Sequence, residues 1–192
     1  MLSLIDNIKR WSLVLVLLLG GGLGVAWKAG AQSQSPPEYQ EYQVKAAFLY
    51  NFAKFVEWPA ESFKDAQAPL IIGIIGKDPF GETFNKLRDH HIEGRKLVIK
   101  RFAKAEDLEK CHILFISAAE KEHLSMILKI TRDWPVLTVG DTKGLVQSGV
   151  IINFLIIENK IRFEINTDAA QRAGLKIRSQ LLKLAKIHKE KS

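Results

Sequence analysis

LIIGIIG at residues 70–76 runs directly into KDPFG at 77–81. Leu70, Ile71, Ile72, Ile74 and Ile75 form an apolar run without polar alternation, the pattern of a strand covered on both faces. Gly76 and Pro79 then punctuate the chain, as in a strand-to-helix turn with proline at an early helical position. HILFIS (112–117) and PVLTVG (135–140) repeat the theme, and KLVIKRF (96–102) alternates in part. Between them GETFNKLRD (81–89), KAEDLEK (104–110) and AEKEHLSMILKITRD (119–133) read as helical, the last with Leu124, Ile127 and Leu128 inward. Strands alternating with helices define an α/β fold: a single three-layer α/β/α domain around a mostly parallel sheet.

Working outward, YQEYQVKAAFLYNFAKFVEW (39–58) reads as a helix. Val44, Phe48, Phe52, Phe55 and Val56 are expected on its buried face, and Pro59 helps to end it. After a turn-rich loop at 141–149, VIINFLIIENKIRFEIN (150–166) reads as a hairpin turning near Glu158-Asn159, which makes the sheet mixed. TDAAQRAGLKIRSQLLKLAKIHK (167–189) is expected to be a closing helix, capped by Thr167 or Asp168. Its apolar positions include Leu175, Ile177, Leu181, Leu182 and Leu184, and Gly174 weakens its middle or marks a bend.

The 192 residues are 47% hydrophobic and 26% charged, which suits one globular domain and argues against disorder. Lys9 and Arg10 precede an apolar run from Trp11 to Leu19, then glycines, then Ala29-Gly30-Ala31. That order of charge, apolar stretch and small residues is a secretory signal over residues 1–31. An uncleaved anchor is the rival reading, since a spanning helix needs about 20 apolar residues. Residues 32–38 (QSQSPPE) form a polar entry segment, and the α/β domain occupies 39–192. Either way the domain is expected outside the cytoplasm. The net charge of +7 reads as a solvated basic face, and no basic-aromatic motif supports nucleic-acid binding. The single cysteine, Cys111, reads as a buried, inert thiol.

Chemistry-bearing motifs are sparse. Gly76-Lys77-Asp78-Pro79-Phe80-Gly81 lacks both phosphate-loop patterns, and no G-x-S-x-G elbow occurs. His90-His91, with Glu93 nearby, lacks the spacing of a metal site; His112 and His123 are too scattered to complete one. No catalytic set, metal or cofactor is expected. Ligands of open α/β sheets lie at the carboxyl ends of strands, which makes Lys77, Asp78, Ser117 and Asp141 the ligand-pocket candidates. Asn51, Lys54 and Trp58 recur at spacings of three and four and, with Glu57, form the partner-binding candidate. Trp58 reads either as a core plug or as a recognition anchor.

The helix YQVKAAFLYNFAKFVEWP, together with IIGIIGKDPFG, CHILFIS, PVLTVGDTKGL, GVIINF and KIRFEINTDAAQRAGLKIRSQLLKLA, resembles the YfiR-like family of periplasmic proteins. The resemblance covers nearly all of residues 39–187. It implies a periplasmic repressor that binds the sensor domain of an inner-membrane diguanylate cyclase. It also implies an outer-membrane lipoprotein able to sequester the repressor. A homodimer and a sensor-kinase partner stay open, as does a small-ligand binding protein reporting to a sensor kinase or transporter. The family's disulfides have no counterpart beside a lone Cys111, and its loop glycine pair stands here as Ser148-Gly149.

Overall fold

The computed structural model describes residues 37–87 and 90–190. The expected signal at 1–31 lies outside them. Among the described residues ten strands and four α-helices follow one another. The strands are β1 (Val56–Glu57), β2 (Leu70–Ile75), β3 (His91–Ile92), β4 (Arg95–Phe102), β5 (Ile113–Ile116), β6 (Leu137–Gly140), β7 (Ile152–Ile157), β8 (Lys160–Asn166), β9 (Lys176–Ile177) and β10 (Lys186–His188). The helices are α1 (Pro37–Phe55), α2 (Leu124–Thr131), α3 (Thr167–Arg172) and α4 (Ser179–Leu182).

Eight strands form one sheet in the order β10-β8-β7-β6-β5-β2-β4-β3. The block β4-β2-β5-β6-β7 is parallel throughout. Antiparallel pairs flank it at β3–β4 and β7–β8, and β10 returns parallel to β8. The apolar runs do form its centre, with β5 and β6 buried at every position. Because β2 has β4 on one side and β5 on the other, the connections reverse direction between β2 and β5. Gly73 lies mid-β2 because Phe102 and Cys111 occupy the space a side chain would need: an added Cβ would fall 2.9 Å from the Phe102 ring.

Helices cover both faces. On one, α1, α3 and α4 pack Ala46, Leu49, Phe52, Ala169 and Leu181 against Ile72, Phe115, Val139 and Phe163. On the other, Leu124 and Ile127 of α2 pack with Leu114, Ile116 and Leu145. Phe52 stacks on Phe154 at 5.7 Å and meets Phe163 edge-on at 5.1 Å, geometries that add to the burial itself.

Four expectations need correction. The buried stripe of α1 is Ala46, Leu49, Phe52 and Ala53, while Val44 is 46% exposed. Small residues at 46 and 53 form part of this face, and apolar side chains on both sides of α1 obscured its register. The helix also stops at Phe55, because Val56–Glu57 turns into β1 and pairs antiparallel with β9. The closing helix is instead four elements, α3, β9, α4 and β10. Gly174, at φ +69°, ends the first turn region in the left-handed conformation glycine tolerates. Asn166, one residue before the expected cap, accepts the Ala169 amide at 2.8 Å. Elsewhere the hairpin turns where expected, with Glu158 and Asn159 both at positive φ, as a two-residue loop matched to strand twist requires.

Candidate functional site

The carboxyl ends of the parallel strands carry the four pocket candidates. Lys77 is exposed. Asp78 accepts the Phe80 amide at 2.7 Å and pairs with Arg101 at 2.6 Å. Ser117 is buried, and its amide extends the β2–β5 ladder to the Ile75 carbonyl. Asp141 accepts the Tyr42 hydroxyl at 2.9 Å and the Lys45 ammonium at 2.7 Å. Lys45 reaches Glu41 as well, at 2.5 Å, and its side chain and that of Asp141 are each only 4% exposed. One Asp141 oxygen, Oδ1, is buried without a hydrogen-bond partner. Thus α1 reaches over the end of β6 and clamps it with a buried ion pair.

The partner-binding candidates do not share one helix face. Asn51 is exposed, and the Lys54 ammonium lies 4.2 Å above the Tyr50 ring. Glu57 sits in β1 and pairs with Arg178 at 3.0 Å. Arg178 also reaches Glu93 at 3.1 Å and the Lys54 carbonyl at 3.1 Å, so it joins three chain segments. Hydrogen bonding to Glu57 holds its guanidinium protonated above the ordinary range. Trp58 lies beneath, half-buried against the core, and donates from Nε1 to the His112 carbonyl at 3.1 Å.

A cleft of about 800 Å³ opens at the amino ends of the same strands. Pro59, Ser62, Asp65 and Pro69 form one wall, Lys110, Cys111 and His112 the floor, and Arg132, Trp134 and Gly174 the far side. The sequence rule for carboxyl ends does not point there. Burial pushes the Cys111 thiol up to about 12, so it stays protonated. The His112 imidazole is held from two sides: Nδ1 accepts the Ile71 amide at 3.0 Å, and Nε2 faces the Ser62 carbonyl at 3.2 Å. A carbonyl only accepts, so Nε2 carries the proton and the ring is neutral. Phe63 stacks on it at 4.4 Å with a 15° interplanar angle, and Arg95 lies 3.8 Å from the Phe63 centroid. Burial lowers the His112 pKa below the ordinary value of 6.5; the Ser62 bond opposes that and the Arg95 charge adds to it.

His90 and His91 are exposed, and no group of three or more His, Cys, Asp or Glu among the described residues is placed to hold a metal ion. No helix among the described residues is long and apolar enough to cross a membrane.

Residues 42–186 match the family described as DUF4154: YfiR/HmsC-like. The match runs from within α1 to the first residue of β10. The chain belongs to the YfiR/HmsC-like family. Its fold is similar to that of a solved conserved domain protein from Vibrio cholerae O1 biovar El Tor str. N16961, with TM-score 0.51 and 13% identity. That likeness is one of fold; it covers 78% of this chain and 60% of the Vibrio chain. Among curated proteins none matches the chain.

Proposed function

We propose that this chain is an exported regulatory protein that acts by binding rather than by catalysis. Its partner in this reading is the periplasmic sensor domain of an inner-membrane diguanylate cyclase, which it holds inactive. The observation that carries the reading is the family match across residues 42–186. Exposed apolar side chains lend support: Ile156 and Ile157 at the hairpin tip are 60% and 47% exposed, and Leu184 is 71% exposed. Residues 1–31 supply the export signal. Asn51, Lys54 and Glu57 supply solvent-facing contacts, with Trp58 supporting them from below.

The mechanism is population shift. A soluble partner that prefers the inactive sensor state lowers cyclase output by its differential affinity. At a hundredfold excess over the dissociation constant it contributes about 2.7 kcal/mol, enough to silence a nearly balanced switch. Deleting the gene is expected to raise cellular cyclic-di-GMP. Complementation by the full chain restores the level, while a version lacking residues 1–31 does not. An unchanged level in cells that express the protein rejects the reading.

The cleft favours a second reading, a periplasmic small-ligand binding protein reporting to a sensor kinase or transporter. Lys77, Asp78, Ser117 and Asp141 lie at the opposite strand ends and do not line this cleft. Direct binding of the isolated cyclase sensor domain to the purified protein separates the two: binding without added small molecules favours the repressor.

A further inference from the structure

Segment 59–69 forms one wall of the cleft, yet it holds little of the buried core: Leu70 is the first fully buried apolar residue after Val56. What fastens the wall to the sheet is a small set of contacts centred on His112. The Ser62 carbonyl faces Nε2, Phe63 stacks on the ring, and Nδ1 takes the amide of Ile71, just beyond the segment's end. Arg95 closes the stack on Phe63 and donates to the carbonyls of Asp65 and Ala68 at 2.8 and 2.9 Å.

We infer that His112 is an acid-released latch on the 59–69 wall of the cleft. The argument is one of donors and acceptors. The neutral ring satisfies one backbone N–H and one backbone C=O at once. A second proton would go to Nδ1, where it would meet the Ile71 N–H head-on, donor against donor. The Ile71 amide would then lose its acceptor, and the new charge would sit in a half-dry site beside Arg95. Turning the ring out relieves both conflicts, but it also removes the Phe63 stack and the Ser62 bond.

The charged groups around the latch come from each adjoining element. Glu61, Lys64 and Asp65 belong to the wall itself, and Arg95 approaches from β4. Lys110 precedes β5, with the Cys111 thiol beside it, and Arg132, Asp133 and Arg172 line the cleft beyond. No carboxylate accepts a hydrogen bond from the His112 ring, whose two nitrogens both face backbone groups. Acid therefore opens the wall, and an occupant that needs the closed cleft is released. This holds whether that occupant is a partner or a small molecule, so the latch does not rest on the cyclase reading.

The test is a side-chain and amide NMR titration of the full chain from about pH 8 to about pH 4. His112 is expected as the Nε2–H tautomer at neutral pH, titrating below 6.5. Hydrogen-exchange protection of the Ile71 amide and of 59–69 is expected to fall, by up to about tenfold per pH unit, as pH drops from 6.5 towards the lower His112 midpoint, and to level off below it. Protection at Ser117 and Gly140 is expected to stay level through that midpoint. In His112→Asn, the side-chain oxygen takes the Nδ1 place without titrating, and the pH dependence of the wall should vanish. An Nδ1–H tautomer, or a wall that follows the midpoint of His90, His91, His123 or His188, overturns the latch. So does a wall still pH-dependent in His112→Asn. If that variant fails to fold, the coincidence of midpoints in the unaltered protein decides alone.

Discussion

The two ends of the parallel strands are finished in opposite ways. At the carboxyl ends, α1 inserts Lys45 and Tyr42 onto Asp141, both charges of the pair are buried, and side chains meet side chains. At the amino ends, an 800 Å³ cleft remains, and its floor is organised by one neutral imidazole bonded to the backbone. Open α/β sheets usually place ligands at the carboxyl ends. In this chain the helix that precedes β2 occupies part of that edge, and open volume lies at the other. The difference teaches that the strand-end rule presumes an uncovered edge, and that an extra N-terminal helix can cover it.

The sharpest way to break the comparison is Lys45→Ala. It leaves the Asp141 carboxylate buried and uncompensated, and should cost about 3–5 kcal/mol in urea unfolding. Lys45→Met combined with Asp141→Leu should cost less than Lys45→Ala alone, because a missing pair is cheaper than a lone buried charge. At the amino end His112→Ala orphans the Ile71 amide and removes the Phe63 stack, for about 2–3 kcal/mol by the same measurement. Trp58→Phe keeps a ring but loses the bond to the His112 carbonyl, and should cost about 1 kcal/mol.

The smallest effect concerns Glu190, whose carboxyl falls from 4.5 to about 2 through hydrogen bonds from Arg172 and Asn166. The folded value is the lower one, so its stabilisation is present above 4.5 and is lost as pH falls towards about 2. Solvent screening keeps that contribution small, since the pair is exposed. A carboxyl-carbon NMR titration should show the low midpoint, and Arg172→Ala should return it towards 4.5.

How much of this was legible follows from the range of the interactions. Continuous apolar runs such as Leu70–Ile75 identify buried strands without further context, and Glu158-Asn159 between two such runs identifies the hairpin. The C-terminal elements were not legible. Lys176–Ile177 has helical neighbours in sequence, but its partner is Val56–Glu57, far back in the chain, and pairing overrides local propensity. The same distance hides the sites. Asp141 stood out as a strand-end carboxylate, but Lys45, on α1, could not be matched to it. Glu57 was singled out, whereas its partner Arg178 lies 121 residues away in an ordinary basic stretch. His112 reads as the first residue of a buried strand and lies just before β5. Its role stayed hidden because its partners are main-chain groups, which every residue carries and no sequence marks.

The tether at Glu190 has a consequence for the edge of the sheet. β10 lies on the outer edge of β8, and Glu190 just beyond it ties back to Arg172, Asn166 and the Asp168 carboxylate. β10 pairs with Glu164–Asn166, so without it the whole outer edge of β8 would stand open to any other extended chain. The ties at Glu190 therefore guard that edge against pairing with a second chain.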